Sequence, residues 1–286
     1  MTILQSILLG ILQGIAEFLP ISSSGHLSVV QSLFKLDDVP LLYDIFLHLS
    51  TLLAVVIFFR KKIARLLCCF GRWISRKPQN ESTIDETDLI SGTDEIGRKS
   101  IIAIIAASFV TGVIGIFTSK IIPDLSVKIT CIGFLITSFL LIFSSRIEKT
   151  NLSKQDANSP SPKKAISLKQ SLFIGLMQGI GTLPGISRSG STIAGAQIVK
   201  VDRTTAGEFS FIVSIPAILG AFLLELKDLG EMSSSVGIAQ LIAGCVSSFV
   251  FGYFALAFLM KLIKKGKLEW FAAYLIPVGI LGIIFL

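Results

Sequence analysis

The chain has 286 residues, of which 52% are hydrophobic and only 16% charged, and its formal net charge is +7. Soluble domains are richer in charge and poorer in apolar residues, so the composition excludes an ordinary soluble protein. The basic balance does not indicate a nucleic-acid partner, because the Lys and Arg residues lie between apolar runs rather than on one soluble face. We therefore expect a membrane protein.

The first 14 residues lack the basic region and cleavage site of a signal peptide, so we expect them to belong to the folded protein. Beyond them, six apolar runs approach or exceed the roughly 20 residues that a helix needs to cross a bilayer. They predict an all-α membrane protein with six crossings, at about 41–59, 101–119, 129–143, 207–224, 237–260 and 269–286.

The distribution of Lys and Arg predicts the topology. Most of these residues fall between the apolar runs in four segments, and such segments are usually cytoplasmic. This places the polar connections 60–99 and 146–169 in the cytoplasm and both termini outside. We interpret the Ser-, Asp- and Pro-rich parts of the two connections as solvated linkers, with a regulatory contact as the alternative.

An internal repeat divides this single membrane domain into two halves. Residues 6–27 (SILLGILQGIAEFLPISSSGHL) align with residues 171–192 (SLFIGLMQGIGTLPGISRSGST) at a constant offset of 165. Each half, 1–146 and 166–286, contains a helix broken by Pro and Gly, a Ser-rich turn, a short helix and three predicted crossings. Because three is odd, the halves must have inverted topologies, and we expect each broken pair to be a re-entrant hairpin.

The turn of the second hairpin, LPGISRSGSTIAG (183–195), has the features of an anion site. It combines helix breakers, several hydroxyl side chains and Arg188 just where a new helix begins. A helix N-terminus that glycines allow a ligand to approach suits phosphate, and the arginine fork matches phosphate oxygens. A capping turn with a snorkelling arginine is the alternative, but an arginine at the bilayer centre costs roughly 3 kcal/mol or more.

The turn of the first hairpin supplies complementary groups. Gln13 and Glu17 lie one helical turn apart, and the sequence Ser22-Ser23-Ser24-Gly25-His26 follows the break at Pro20. A carboxylate, an imidazole and three hydroxyls opposite an arginine fit phosphoryl transfer, in which one group holds a divalent cation (Mg²⁺ or Ca²⁺, with Gln13 and Glu17 as candidate ligands) or takes a proton. Taken singly, Glu17 could be only an ion-pair partner and His26 only a core residue.

Two further polar residues, Asp44 and His48, lie within an apolar run. We expect them to be interfacial or to support the site from outside it.

The sequence resembles the bacitracin-resistance family of undecaprenyl-diphosphatases over nearly its whole length. The resemblance rests on "LQGIAEFLPISSSGHL" and "LPGISRSGSTIAG", and also on "GEFSFIVSIPAILGA" at 207–221. It implies hydrolysis of a C55 polyprenyl diphosphate to the monophosphate, which recycles the cell-wall lipid carrier and confers bacitracin resistance. The family's acidic motif has Glu or Gln at its first position, and Gln13 leaves Glu17 as the one strong ligand or base.

The resemblance also implies roles for individual residues. Arg188 stabilises the diphosphate, and either Ser23 or His26 attacks it. We favour Ser23, with Glu17 or His26 as its base. The expected substrate-binding residues are Ser22, Ser24, Gly185, Ser187, Ser189 and Thr192.

The expected setting is the bacterial inner membrane, with the active site open to the extracytoplasmic side and membrane lipid around the protein. The partner is the polyprenyl diphosphate itself, no nucleic acid is expected, and a homodimer is left open. A transporter or flippase of polyprenyl phosphate is the alternative function, because inverted repeats and broken helices are also features of transporters.

Overall fold

The computed structural model describes residues 1–36, 41–78, 85, 87–121, 126–153, 165–225 and 236–285. Within these ranges the protein is all-helical and has no strand. The eleven helices found there are α1 (Ile3–Phe18), α2 (Ser23–Leu33), α3 (Leu41–Phe58), α4 (Arg60–Ser75), α5 (Asp94–Ile121), α6 (Val127–Ser153), α7 (Leu168–Ile180), α8 (Arg188–Ile198), α9 (Arg203–Glu225), α10 (Ile238–Lys265) and α11 (Trp270–Phe285).

Four helices, α5, α6, α9 and α10, are long and apolar enough to cross a membrane. They coincide with four of the six predicted crossings. The other two predicted crossings coincide with α3 and α11, which are apolar but contain only 18 and 16 residues. At about 1.5 Å per residue, both fall short of a hydrocarbon core about 30 Å thick. The chain is thus a multi-pass membrane protein with four full-length spans among its described helices.

The first helix of each half packs closely against a long helix of the other half. Helix α1 lies along α10, and α7 lies along α5. A Cβ atom on Gly10 would lie 2.3 Å from the carbonyl oxygen of Gly244, and one on Gly175 would lie 2.5 Å from that of Ala107. Because small residues let membrane helices approach backbone to backbone, these glycines allow the close packing of both helix pairs.

The helices that open the two halves begin in the same way. Thr2 accepts a hydrogen bond from the Gln5 backbone amide while the Gln5 side chain caps Thr2 in return. Ser167 and Gln170, 165 positions further along the chain, form the same reciprocal capping box. Each box satisfies amide groups that the first helical turn would otherwise leave unpaired.

The hairpin turns also correspond at this offset. Ser22 and Ser187 precede α2 and α8, and the hydroxyl of each accepts a hydrogen bond from the backbone amide three residues later. Both helices contain 11 residues, and both are followed two residues after their end by a lysine with positive φ, Lys35 or Lys200. The same capping hydrogen bonds therefore accompany the same order of helix, turn and short helix at two places in the chain.

Helices extend into both segments predicted as cytoplasmic loops. Within 60–99 lie α4 and the start of α5, and α6 continues past residue 146 to Ser153. Helix α4 forms because its apolar residues share one face, on which Leu66 and Cys69 are buried and Cys69 lies against Gly97 of α5.

Ion pairs hold the first turns of α4 in place. Lys62 Nζ lies 2.8 Å from both Asp88 Oδ1 and Glu208 Oε2, so it joins the segment before α5 to α9. Asp88 is buried and also accepts a hydrogen bond from Ser91. Burial by itself raises the pKa of Asp88, but the hydrogen bonds from Lys62 and Ser91 outweigh it and hold this pKa below its usual value.

We expect Asp88→Ala to lower the free energy of unfolding by about 2 kcal/mol or more, because it leaves Lys62 without one of its two carboxylates. The folded-state pKa of Asp88 lies below the unfolded value of 3.8. Its stabilising effect is therefore complete at neutral pH and declines as the pH falls below about 4. Thermal unfolding in detergent at pH 7 and pH 3.5 measures both effects.

Asp85→Ala is the matched control, since the Asp85 carboxylate is 40% exposed and 3.6 Å from Arg65. We expect little change from it. Equal losses in the two variants would contradict the role given to Asp88.

Candidate active site

The turns of the two hairpins meet through an ion pair. Glu17 lies in the last turn of α1, and Arg188 is the first residue of α8. Arg188 Nη2 donates a hydrogen bond to Glu17 Oε1, and the Glu17 side chain is 5% exposed. The two hairpins thus bring opposite charges together in the protein interior.

The second carboxylate oxygen of Glu17 accepts hydrogen bonds from two neighbouring side chains. Gln13 Nε2 lies 3.0 Å from Glu17 Oε2, and Ser23 Oγ donates to the same oxygen at 2.7 Å. Gln13 is fully buried. Ser23, the first residue of α2, is therefore the predicted nucleophile that touches the carboxylate.

His48 on α3, which we expected to be interfacial or to support the site from outside it, contacts Glu17 directly. Its Nε2 lies 3.4 Å from Glu17 Oε2, and its Nδ1 lies 2.7 Å from the backbone oxygen of Asp44. The Asp44 carboxylate accepts a hydrogen bond from the Gln31 side chain on α2. An ionisable residue inside an apolar helix was the available signal, because membrane segments tolerate such residues mainly at functional positions.

His26 lies in a different environment from Glu17. Its Nδ1 is 2.8 Å from the backbone oxygen of Ser22, and its Nε2 is 2.9 Å from the hydroxyl of Tyr274 on α11. The imidazole stacks on the Tyr274 ring and contacts Phe134 of α6. Since a carbonyl can only accept, Nδ1 donates to Ser22 and the neutral ring then accepts from Tyr274 at Nε2. Both nitrogens of His26 are thus engaged away from the ion pair.

The predicted substrate-binding residues of the first hairpin differ in their surroundings. The Ser22 hydroxyl caps α2 by accepting from the Gly25 amide, so it stabilises the turn. Ser24 is half-buried in the first turn of α2, and its backbone oxygen accepts from the Ser28 hydroxyl.

The predicted substrate-binding hydroxyls of the second hairpin are hydrogen-bonded within that hairpin. Ser187 caps α8 by accepting from the Gly190 amide, and its hydroxyl lies 3.2 Å from that of Ser189. Thr192 donates to the backbone oxygen of Arg188 at 2.6 Å. These contacts hold the start of α8, and hence Arg188, in place.

Gly185 has φ +83°, which L side chains rarely adopt. A Cβ atom there would lie 1.9 Å from the backbone oxygen of Thr130 on α6. The structure thus gives Gly185 a clear packing role at the turn.

A small cavity of about 10 Å³ borders the ion pair and has room for about one water molecule. It lies between the hairpin turns and helices α3 and α9. Its lining residues are Glu17, Phe18, Thr51, Val55, Arg188, Ser189, Ser210, Phe211, Ser214 and Ile218.

The donor set for a cation is sparse. No group of three or more His, Cys, Asp or Glu side chains suited to a metal occurs in the part of the chain that the structure describes. Gln13 Oε1, however, is buried next to the Glu17 carboxylate and has no hydrogen-bond partner in the described part of the chain. One carboxylate and one free amide oxygen suit a hard divalent cation that takes its other ligands from phosphate and water.

Comparison with known proteins decides the family. The model of the family described as bacitracin resistance protein BacA matches residues 6–281. This chain belongs to that family. The family resemblance inferred from the two hairpin turns is thereby confirmed. The Glu17–Arg188 ion pair joins these two turns.

Curated relatives of the family cover almost the whole chain. A Treponema denticola protein named undecaprenyl-diphosphatase is 48% identical over 280 residues, which is 98% of this chain and 96% of the relative. Proteins of the same name from Borrelia recurrentis and Methanosphaera stadtmanae are each 36% identical. These two alignments cover 96% and 99% of this chain and 96% and 97% of the relatives.

We expect Gly185→Ala to destabilise the protein strongly, because its side chain would meet the Thr130 carbonyl in a backbone conformation unfavourable to alanine. Gly112→Ala is the control, since a Cβ atom there has no neighbour within 4 Å and the residue lies inside α5. Alanine favours helix by about 1 kcal/mol, so this variant should keep or raise the unfolding temperature. A Gly185→Ala protein as stable as wild type would contradict the packing role.

Proposed function

We propose that this chain is an undecaprenyl-diphosphatase, which cleaves the anhydride bond of a C55 polyprenyl diphosphate to give polyprenyl phosphate and inorganic phosphate. The proposal follows from family membership and from relatives of that name at 36–48% identity. The observation that carries it is the contact between Arg188 and Glu17 at the meeting of the two hairpins. A diphosphatase needs both a cation for the phosphate and a carboxylate for the proton.

Arg188 binds the diphosphate in this proposal. One guanidinium nitrogen contacts Glu17, and the planar fork has further N–H groups for phosphate oxygens. Arg188 also begins α8, whose N-terminal amides favour an anion. The Arg188 guanidinium and the N-terminus of α8 therefore stabilise the negative charge that develops on the phosphate.

Ser23 is the proposed nucleophile and Glu17 its base, since the hydroxyl already donates to Glu17 Oε2. As Oγ attacks the terminal phosphorus, its proton passes to the carboxylate. The bond from that phosphorus to the bridging oxygen breaks, and polyprenyl phosphate leaves with the electron pair. Water then cleaves the phosphoserine, which frees inorganic phosphate and restores the hydroxyl.

His26 is assigned a supporting role rather than the attack. Both of its ring nitrogens are hydrogen-bonded, one to Ser22 and one to Tyr274. A phosphohistidine would require the Tyr274 contact to break, whereas Ser23 needs no such rearrangement. His26 thus orients the first hairpin turn.

A divalent cation, Mg²⁺ or Ca²⁺, belongs to the proposal. Gln13 Oε1 and the Glu17 carboxylate would hold it, and when bound it would neutralise charge on the diphosphate. With only these two protein ligands, we expect weak binding that depends on the substrate.

We also propose that the halves 1–146 and 166–286 are inverted repeats, each a re-entrant hairpin followed by three crossings. In this arrangement α3 and α11 also cross the bacterial inner membrane, and the bilayer thins locally around these two shorter helices. Both termini lie outside, and the site opens to the extracytoplasmic side. The shared capping at an offset of 165 and the Lys- and Arg-rich connections support this topology.

The first test is release of inorganic phosphate from undecaprenyl diphosphate by purified protein in detergent, with and without a chelator. We expect chelator-sensitive release in the wild type and at least a tenfold loss in Arg188→Lys, because an ammonium cannot reproduce the bidentate fork. Full activity in Arg188→Lys would exclude that role. Lipid-phosphate binding by a wild type that releases no phosphate would favour the transporter alternative.

A second test separates Ser23 from His26. We expect Ser23→Ala to lose turnover by about 100-fold or more and His26→Gln to retain measurable turnover. Acid quenching with substrate labelled in the terminal phosphate adds a direct readout, since phosphoserine survives acid and phosphohistidine does not. An acid-labile label that persists in Ser23→Ala would reverse the assignment.

A further inference from the structure

The cavity beside Glu17 and Arg188 is lined by four hydroxyl side chains of the described chain, those of Thr51, Ser189, Ser210 and Ser214. Three of them have hydrogen-bond partners. Thr51 and Ser214 each donate to a backbone oxygen three residues earlier in their own helix, and Ser189 pairs with the adjacent hydroxyl of its turn. Ser210 Oγ is buried and has no hydrogen-bond partner among the residues that the structure describes.

Ser210 differs in this respect from Ser214, the other serine that α9 contributes to the cavity lining. Serine in a membrane helix ordinarily donates to the carbonyl three or four residues earlier, as Ser214 does one turn later on the same helix. Ser210 is only 2% exposed, so bulk water does not satisfy it. Its hydroxyl therefore remains available to a ligand that enters the cavity.

The charges around the cavity indicate what kind of ligand this is. Glu17 and Arg188 are already paired, so an entering anion needs donors that compensate for the nearby carboxylate. A neutral hydroxyl donates to a phosphate oxygen without adding a further charge to a buried site. Because Ser210 lies on α9, this helix could contact the same phosphate that Arg188, at the start of α8, would bind.

We propose that Ser210 is a further substrate-binding residue, whose hydroxyl donates to a phosphate oxygen of the polyprenyl diphosphate held by Arg188. This inference rests on the proposed diphosphatase function and deepens it. It makes α9, within the stretch GEFSFIVSIPAILGA, a part of the active site.

The experiment compares Ser210→Ala with Ser144→Ala. Ser144 is equally buried, lies on α6 outside the cavity lining and donates to the backbone oxygen of Leu141. We expect Ser210→Ala to lower kcat/KM for undecaprenyl diphosphate about 10- to 100-fold, the usual effect of losing a hydrogen bond to a charged group. Ser144→Ala should stay within about twofold of wild type.

Stability separates a binding role from a structural one. We expect Ser210→Ala to unfold at or above the wild-type temperature, because it removes an unpaired buried hydroxyl, and Ser144→Ala to unfold somewhat lower. Inorganic pyrophosphate should raise the unfolding temperature of wild type and Ser144→Ala more than that of Ser210→Ala. Unchanged kcat/KM, equal protection by pyrophosphate, or a marked loss of stability in Ser210→Ala would each overturn the inference.

The pyrophosphate measurement also distinguishes the two proposals. If wild-type protein released no phosphate, the diphosphatase function would fail, yet the difference in protection between the serine variants would still test Ser210 as a phosphate ligand.

Discussion

The structure depends on keeping Glu17 and Arg188 together inside an apolar protein. Removing either charge from water costs several kcal/mol, and their attraction offsets this only when hydrogen bonds satisfy the remaining lone pairs and protons. The structure provides such bonds, because one carboxylate oxygen accepts from Arg188 and the other from Gln13 and Ser23. To bring Glu17 and Arg188 together, α1 must end and α8 must begin inside the protein, which leaves backbone groups at both helix ends to be satisfied.

The cost of these helix ends is reduced by local capping. A helix that ends within the membrane leaves backbone amides and carbonyls without partners, and no water is available to satisfy them in the hydrocarbon core. Ser22 and Ser187 each satisfy one amide of the helix that follows, and both short helices pack against α6. The serines of the two turns therefore have different roles. Ser22 and Ser187 each cap a helix by accepting from a backbone amide, whereas Ser23 donates to the Glu17 carboxylate.

Much of this arrangement could be predicted from the sequence because it is local or repeated. The helix breakers, the capping serines and the offset of 165 predict two hairpins, and an arginine and a glutamate inside apolar segments predict a buried site. The contacts of His48 with Glu17, of Tyr274 with His26 and of Lys62 with Glu208 could not be predicted. Each joins helices far apart in the chain, and their side chains follow no short-range pattern that fixes a partner.

The choice of Gln13 illustrates how the charge of the site is balanced. A second carboxylate at this position would lie close to Glu17, and the two negative charges would need a tightly held cation or a shared proton. The amide instead donates to Glu17 through Nε2 and leaves only a neutral oxygen free. Glu17 can then remain ionised beside Arg188 whether or not a cation is bound. If Ser23 is the nucleophile, as proposed, the Glu17 carboxylate can accept its proton without a bound cation, and a cation held at this site would have the diphosphate as its main partner.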